Sequence, residues 1–283
     1  MKGDALTPYD AGLEERVRPT KWAAAALLAR VYLYIGDYAN AETQATIVTN
    51  NSTYYGLLSD LNSVFLRNSK EAIWQLQPIN NAGRSNTGEG ILFILPNTGP
   101  NTSSYPVYLS NYIVNSFETG DQRKAKWVGS VTPTPPGTNT YFYPNKYKIG
   151  AVNTTVQEYP MVMRLAELYL IRAEARAQQN NTTGAVADLN AIRLRAGLPD
   201  YSGSTAQTSL LSAILHERQV ELFTEWGHRW LDLKRTGTLN AVMGAPGGVC
   251  AVKGGSWSIN SQLFPIPFSE LQKDPNLVQN VGY

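Results

Sequence analysis

Across 21–34 the apolar positions include Ala25, Leu28, Ala29 and Tyr32, the spacing of one helical face. Pro19 and Thr20 before them are helix-start residues. Gly36 suits the left-handed position that ends a helix, and Asp37 the N-cap of the next one. That second helix carries Ala41, Ala45 and Val48 on one face. Small residues let two helices approach closely. The order A-x-x-L-A-x-x-Y-x-x-x-G-D-x-x-x-A follows the logic of a tetratricopeptide hairpin.

The template returns later in the chain. Aligning Gly36 with Asn180 sets Ala29 on Ala173, Ala41 on Ala185, Ala45 on Leu189 and Val48 on Ile192. Gly197, with Pro199 just beyond, stops this second hairpin. A solenoid needs about three stacked repeats. Two hairpins so far apart in sequence are therefore expected to pack on other elements, or on repeats preceding this chain. A third long helix is expected over 208–225, and a short one over 110–117 capped by Ser110. Alternation predicts strands at 71–77 (EAIWQLQ) and at 141–148 (YFYPNKYK), the latter broken at Pro144. Segments 129–140 and 245–258 read as loops. Residues 78–108 form a long excursion rich in Asn, Gly, Ser and Pro, and loops of that length in a compact domain are usually functional or disordered. The expected fold class is mainly α, with short strands and long loops.

Composition narrows the function. Of 283 residues 16% are charged, well below the usual quarter, and Asn, Thr, Ser, Gly and Tyr fill the difference. A net charge of +2 offers no electrostatic reason for a nucleic acid or an anionic bilayer surface as partner. The single cysteine, Cys250, excludes an internal disulfide and a multi-cysteine metal site. It reads as a small, partly buried apolar residue. No run of about 18 apolar residues is present to span a membrane as a helix.

The densest tract is 216–237, HERQVELFTEWGHRWLDLKRTG. Glu217, Glu221 and Glu225 form an i, i+4 ladder, and two of them could be proposed as the acid and base of a glycosidase. Arg218, Arg229, Lys234 and Arg235 lie close by, so exposed or half-exposed ion pairs are the expected role. The zinc-protease helix motif would need a second His where Val220 stands, and only His216 and His228 are available. No metal or cofactor is expected. Trp226 and Trp230, four apart on a helical tract, are expected to pack, as are Trp22 and Trp74. Aromatics in loops differ. A sugar ring has an apolar C–H face, which an exposed aromatic covers, and a rim of hydroxyls, which Asn, Asp, Gln and Arg satisfy. Tyr105 and Tyr108 lie in the long excursion. Trp127, Tyr141 and Tyr143 bracket the Pro/Thr-rich loop.

The 216–237 tract closely resembles the late helix of SusD/RagB-type outer-membrane nutrient-binding lipoproteins, with its pattern E-R-x-x-E-[LF]-x-x-E-[GW]-x-R-W-x-D-L-x-R. FETGDQRKAKW (117–127), PMVMRLAELYLIRAEARA (160–177), DLNAIRLRAG (188–197) and LFPIPFSELQKDPNLVQNVGY (263–283) resemble further family segments, in the family's order. The resemblance implies a helical-repeat superhelix of the SusD type. It implies non-catalytic capture of an oligosaccharide or similar nutrient at the outer face of a Bacteroidetes-type outer membrane. Its partner would be a SusC-type TonB-dependent transporter. Ligand-facing aromatics in such proteins come largely from loops, which makes Tyr105, Tyr108, Trp127, Tyr141 and Tyr143 the candidates here. Family members carry an N-terminal lipoprotein signal and a lipidated cysteine, so residues 1–283 are expected to correspond to the C-terminal portion of such a protein. A helical scaffold binding peptide or protein, and a carbohydrate-active enzyme, are the alternatives.

Overall fold

The computed structural model describes residues 15–79, 83–134 and 139–283. Its backbone is helical hairpins joined by long connections. Helix α1 (Lys21–Ile35) opens on Thr20, whose side chain accepts from the Ala23 amide, and closes on Gly36 at φ +78°. Helix α2 (Tyr38–Thr49) opens on Asp37, which accepts from the Asn40 amide. Strand β1 (Ala72–Gln75) and the short helices α3 (Gly88–Phe93), α4 (Asn111–Val114) and α5 (Gln122–Trp127) follow. Strands β2 (Val128–Val131) and β3 (Tyr141–Pro144) pair antiparallel as a hairpin, and β4 (Met161–Arg164) pairs antiparallel with β1. The chain then builds α6 (Leu165–Gln178), α7 (Thr182–Arg195), α8 (Gln207–Glu221), α9 (His228–Arg235), α10 (Leu239–Gly244), α11 (Val249–Val252) and α12 (Phe268–Lys273).

The aligned template describes both hairpins. Asn180 takes φ +62°, the left-handed counterpart of Gly36, and Asn181 caps α7 as Asp37 caps α2. Ala29, Ala41, Ala173 and Ala185 are all fully buried. Leu28 departs from the expected face: it is exposed, and Ala26 and Leu33 are buried instead. The hairpins, expected to pack on other elements, also pack on each other. Helix α2 lies directly against α6, and α8 closes on α6 and α7. The long excursion between the hairpins is looped out, so repeats distant in sequence become neighbours in space.

Other boundaries moved for local reasons. Strand β3 stops at Pro144, which has no amide to donate. The 110–117 helix shortens to α4, and Ser110 makes no side-chain cap hydrogen bond. The 78–108 excursion contains α3, and 245–258 contains α11, which carries the half-buried Cys250. Segment 129–140 begins as strand β2; its residues 135–138 lie outside the described ones. Helix α8 ends at Glu221, short of the expected 225, because Thr224 and Trp226 take positive φ.

Candidate functional site

The β2–β3 hairpin presents an aromatic face. Gly129 pairs with Tyr143, and Val131 with Tyr141. Strand alternation sets Tyr141 and Tyr143 on one face and Phe142 on the other, where it packs against the core. Tyr143 lies over its cross-strand partner: a methyl at Gly129 would come within 2.3 Å of the ring's Cζ. The Leu109 amide donates to the Phe142 carbonyl at 2.7 Å, adding the end of the long excursion to the edge of β3. Tyr108, 54% exposed, meets Tyr141 edge-on with ring centroids 5.1 Å apart. Three of the five sequence candidates therefore gather here.

Tyr105, half-buried, lines an open groove of about 1000 Å³ beside α3. Its loop is organised by Asn101, whose Oδ1 accepts from the amides of Ser103, Ser104 and Tyr105. Ser103 and Ser104 supply hydroxyls to the groove, Asn86 in its wall is spent on Thr154, Thr155, Gln157 and Glu158, and Arg84 is the one charged residue among its described lining.

Trp127 is no part of this surface, which corrects the sequence reading. It is fully buried, its Nε1–H donates to the Leu61 carbonyl at 2.9 Å, and it packs edge-on to Phe65. Helix α5 runs into β2 without an intervening loop, so Trp127 ends a buried helical face with Arg123 one turn earlier. The side chains of Lys146, Arg164 and Arg195 surround its ring at 5.0–5.8 Å.

These cations belong to a buried charge network that also overturns the expectation of exposed pairs at the acid ladder. Glu217 and Glu221 are 1% and 0% exposed. Their partners come from distant segments rather than from Arg218, Arg229, Lys234 or Arg235. Glu221 accepts from Arg123 at 2.9 Å, from Arg164 at 2.5 Å and from Arg195. Glu217 pairs with Arg123 at 2.5 Å, and Glu71 with Arg195 at 2.5 Å. Glu225 bonds Arg164 at 2.8 Å and Lys146 at 2.5 Å. Burial works to raise the Glu221 carboxyl, but Arg195, Arg164 and Arg123 together hold it well below the usual range. Burial raises Glu217 against the pull of Arg123, and lowers Lys146 to about 8 in spite of Glu225. Such a network is a floor for the hairpin. Glu217 and Glu221 are enclosed and ion-paired, and Glu225, at the edge of a small cleft, is held by Arg164 and Lys146.

The SusD family model matches residues 128–283, more than half of the chain and inclusive of the hairpin. This chain belongs to the SusD family. It is 28% identical over 309 aligned positions to SusD-like protein P2 of Formosa agariphila, covering 95% of this chain and 60% of that protein. It is 34% identical over 125 positions to the starch-binding protein SusD of Bacteroides thetaiotaomicron, covering 43% and 21%. A SusD superfamily crystal structure from Parabacteroides distasonis superposes with a TM-score of 0.76 at 24% identity, over 99% of this chain and 65% of that one. The chain thus spans less than two thirds of the length of these SusD relatives.

Sequence reasoning passed over Trp226, Phe264, Phe268 and Tyr283, exposed aromatics of this SusD-family chain. Trp226, expected to pack, is 52% exposed, whereas Trp230 is half-buried against Trp257 and Phe264. Gly227 beside it was the available signal, since glycine marks a break in a helix rather than its continuation.

Proposed function

We propose that this chain binds a neutral oligosaccharide on the aromatic face of the β2–β3 hairpin and in the adjoining groove, without cleaving it. The carrying observation is the gathering of Tyr108, Tyr141 and Tyr143 beside a groove lined by Tyr105, Ser103, Ser104 and Arg84. Tyrosine faces cover the C–H faces of sugars, and the serine hydroxyls and the Arg84 guanidinium meet their rims. The low charge of the chain suits a neutral ligand. A relative named as starch-binding supports the same ligand class. The ion-paired state of Glu217, Glu221 and Glu225 argues against hydrolysis. The cell setting that fits is the outer-membrane surface, with a SusC-type TonB-dependent transporter receiving the ligand. Among the described residues no helix is long and apolar enough to cross a membrane.

The test is an array of neutral α- and β-linked oligosaccharides, followed by a reducing-end assay on each glycan captured. Binding without new reducing ends is expected. An array with no captured glycan would refute the binding reading, and released reducing ends would make the chain an enzyme.

A further inference from the structure

We propose that the indole of Trp226 is a fixed stacking platform for a neutral pyranose ring, a ligand contact additional to the hairpin tyrosines. The proposal rests on the glycan-binding reading above. Its starting point is a conflict between chemistry and position. A tryptophan half in water leaves a large apolar face uncovered, and here the backbone is bent to put it there.

The turn between α8 and α9 holds Thr224 at φ +59°, Trp226 at +43° and Gly227 at +72°. Positive φ is ordinary for Gly227, but at a β-branched residue such as Thr224 it is an outlier, and at a tryptophan it is uncommon. Such conformations persist where their surroundings over-determine them, and they concentrate at ligand clamps. The turn is clamped from two sides. Beneath it, Glu225 is seized by Arg164 and Lys146 of the buried network. Above it, the Trp226 Nε1–H donates to the Met161 carbonyl of β4 at 2.5 Å. That bond satisfies the only polar atom of the ring and fixes its plane. What remains is a rigid apolar face with no polar demand of its own, which is what stacking on a sugar's C–H face requires.

The neighbourhood says how a ring would sit. Trp226 borders a cleft whose apolar walls are Phe93, Pro144, Tyr147 and Met161, and whose polar groups are Glu89, Thr224 and the ion-paired Lys146 and Glu225. The cleft has room for about 20 Å³, enough for one hydroxyl or water and far too little for a ring. A pyranose must therefore lie on the outer face of the indole and dip a hydroxyl inward. Lys146 and Glu225 neutralise each other in their ion pair, so the charge left at that point is the Glu89 carboxylate, which selects against uronic or sulfated sugars. The cleft is also continuous with the proposed surface. Pro144 ends the strand that carries Tyr141 and Tyr143. Helix α3 turns Glu89 and Phe93 to this cleft, and Ile91 and Leu92 to the groove of Tyr105.

The experiment takes the tightest neutral oligosaccharide from the array, with maltoheptaose among those printed, and an acidic oligouronate as the contrasting arm. The wild-type chain is oxidised with N-bromosuccinimide, with and without saturating glycan, and each tryptophan is followed by peptide mass spectrometry. Trp226 is expected to oxidise in the free protein and to be protected by the neutral glycan, with fully buried Trp127 as the unreactive control. By calorimetry, Trp226→Ala should weaken binding about tenfold or more, and Trp226→Phe about threefold at most. If Trp226→Ala fails to fold by circular dichroism, protection in the wild type decides alone. Equal oxidation with and without a bound glycan overturns the platform while leaving the binding reading intact. Protection by the oligouronate overturns the assignment to neutral sugars. An array that captures nothing removes the binding reading, and this inference with it.

Discussion

Gly129 has no side chain, and the ring of Tyr143 occupies the space that one would fill. Gly129→Ala should therefore swing Tyr143 off the hairpin. We expect a folded protein by circular dichroism whose affinity for its array-identified glycan falls about tenfold, roughly the loss of one good contact. Tyr141→Ala, which also removes the edge-on partner of Tyr108, should weaken calorimetric binding by about 2 kcal/mol or more with the fold retained. Trp127→Ala should instead cost about 3–5 kcal/mol of stability, read in urea unfolding, because it empties a core position. The difference among these aromatics was partly legible. Tyr105, Tyr108, Tyr141 and Tyr143 stand among polar and turn residues, and composition set them apart from the core aromatics. Trp127 sits at a direct helix-to-strand junction, and Gly129 just after it, which lies inside β2, read as the start of a loop that in fact begins farther on.

At the scale of elements, small residues made the two hairpins readable, because alanine at fixed spacing is a statement about how close two helices come. Ala173 is fully buried in the α6–α7–α8 cluster. Ala173→Leu should overpack it by about 1–3 kcal/mol and lower the melting temperature measurably. What the spacing does not encode is the neighbour. Helices α1 and α6 meet through Arg30 and Glu167, bonded twice at 2.7 Å across a separation no local pattern spans. Burial works to raise the Glu167 carboxyl, and Arg30, with His228 and Arg218 beyond it, overcomes this and sets it at about 2 against an ordinary 4.5. A depressed carboxyl contributes stability that is complete above its unfolded value and fades as the pH drops through its folded one. Unfolding midpoints should thus fall between about pH 4.5 and 2, and Glu167→Gln should flatten that limb while lowering stability at neutral pH. The end of α8 was misread for a related reason. Glu217, Glu221 and Glu225 keep helical spacing in sequence, but positive φ at Thr224 breaks the helix, and periodicity is blind to φ.

At the scale of the whole molecule, the buried charges couple the helical layer to the hairpin. Glu221 at the end of α8 receives Arg123 from α5, Arg164 from β4 and Arg195 from α7. Arg164 and Lys146 then reach through Glu225 to the turn that carries Trp226. The ladder's acids were visible in the sequence. Their burial was not, because nearby Arg218 and Arg235 looked like sufficient partners and are in fact engaged with Asp232 and Glu174. The distinction has a large energetic consequence. An exposed pair contributes about 0–1 kcal/mol, whereas removing one member of a buried set strands the others' charge and costs about 3–5 kcal/mol. Glu221→Gln removes the one carboxylate that three arginines share. We expect its urea midpoint to fall by the larger amount, followed by circular dichroism and by tryptophan fluorescence, since the ring of Trp127 lies among the same arginines. Glu270→Gln, which breaks the exposed pair with Lys273, supplies the control and should leave the midpoint unmoved. If the two variants shifted alike, the network would be only an assembly of weak surface pairs. The hairpin, the turn and the helical layer would then have to be held together by apolar packing alone.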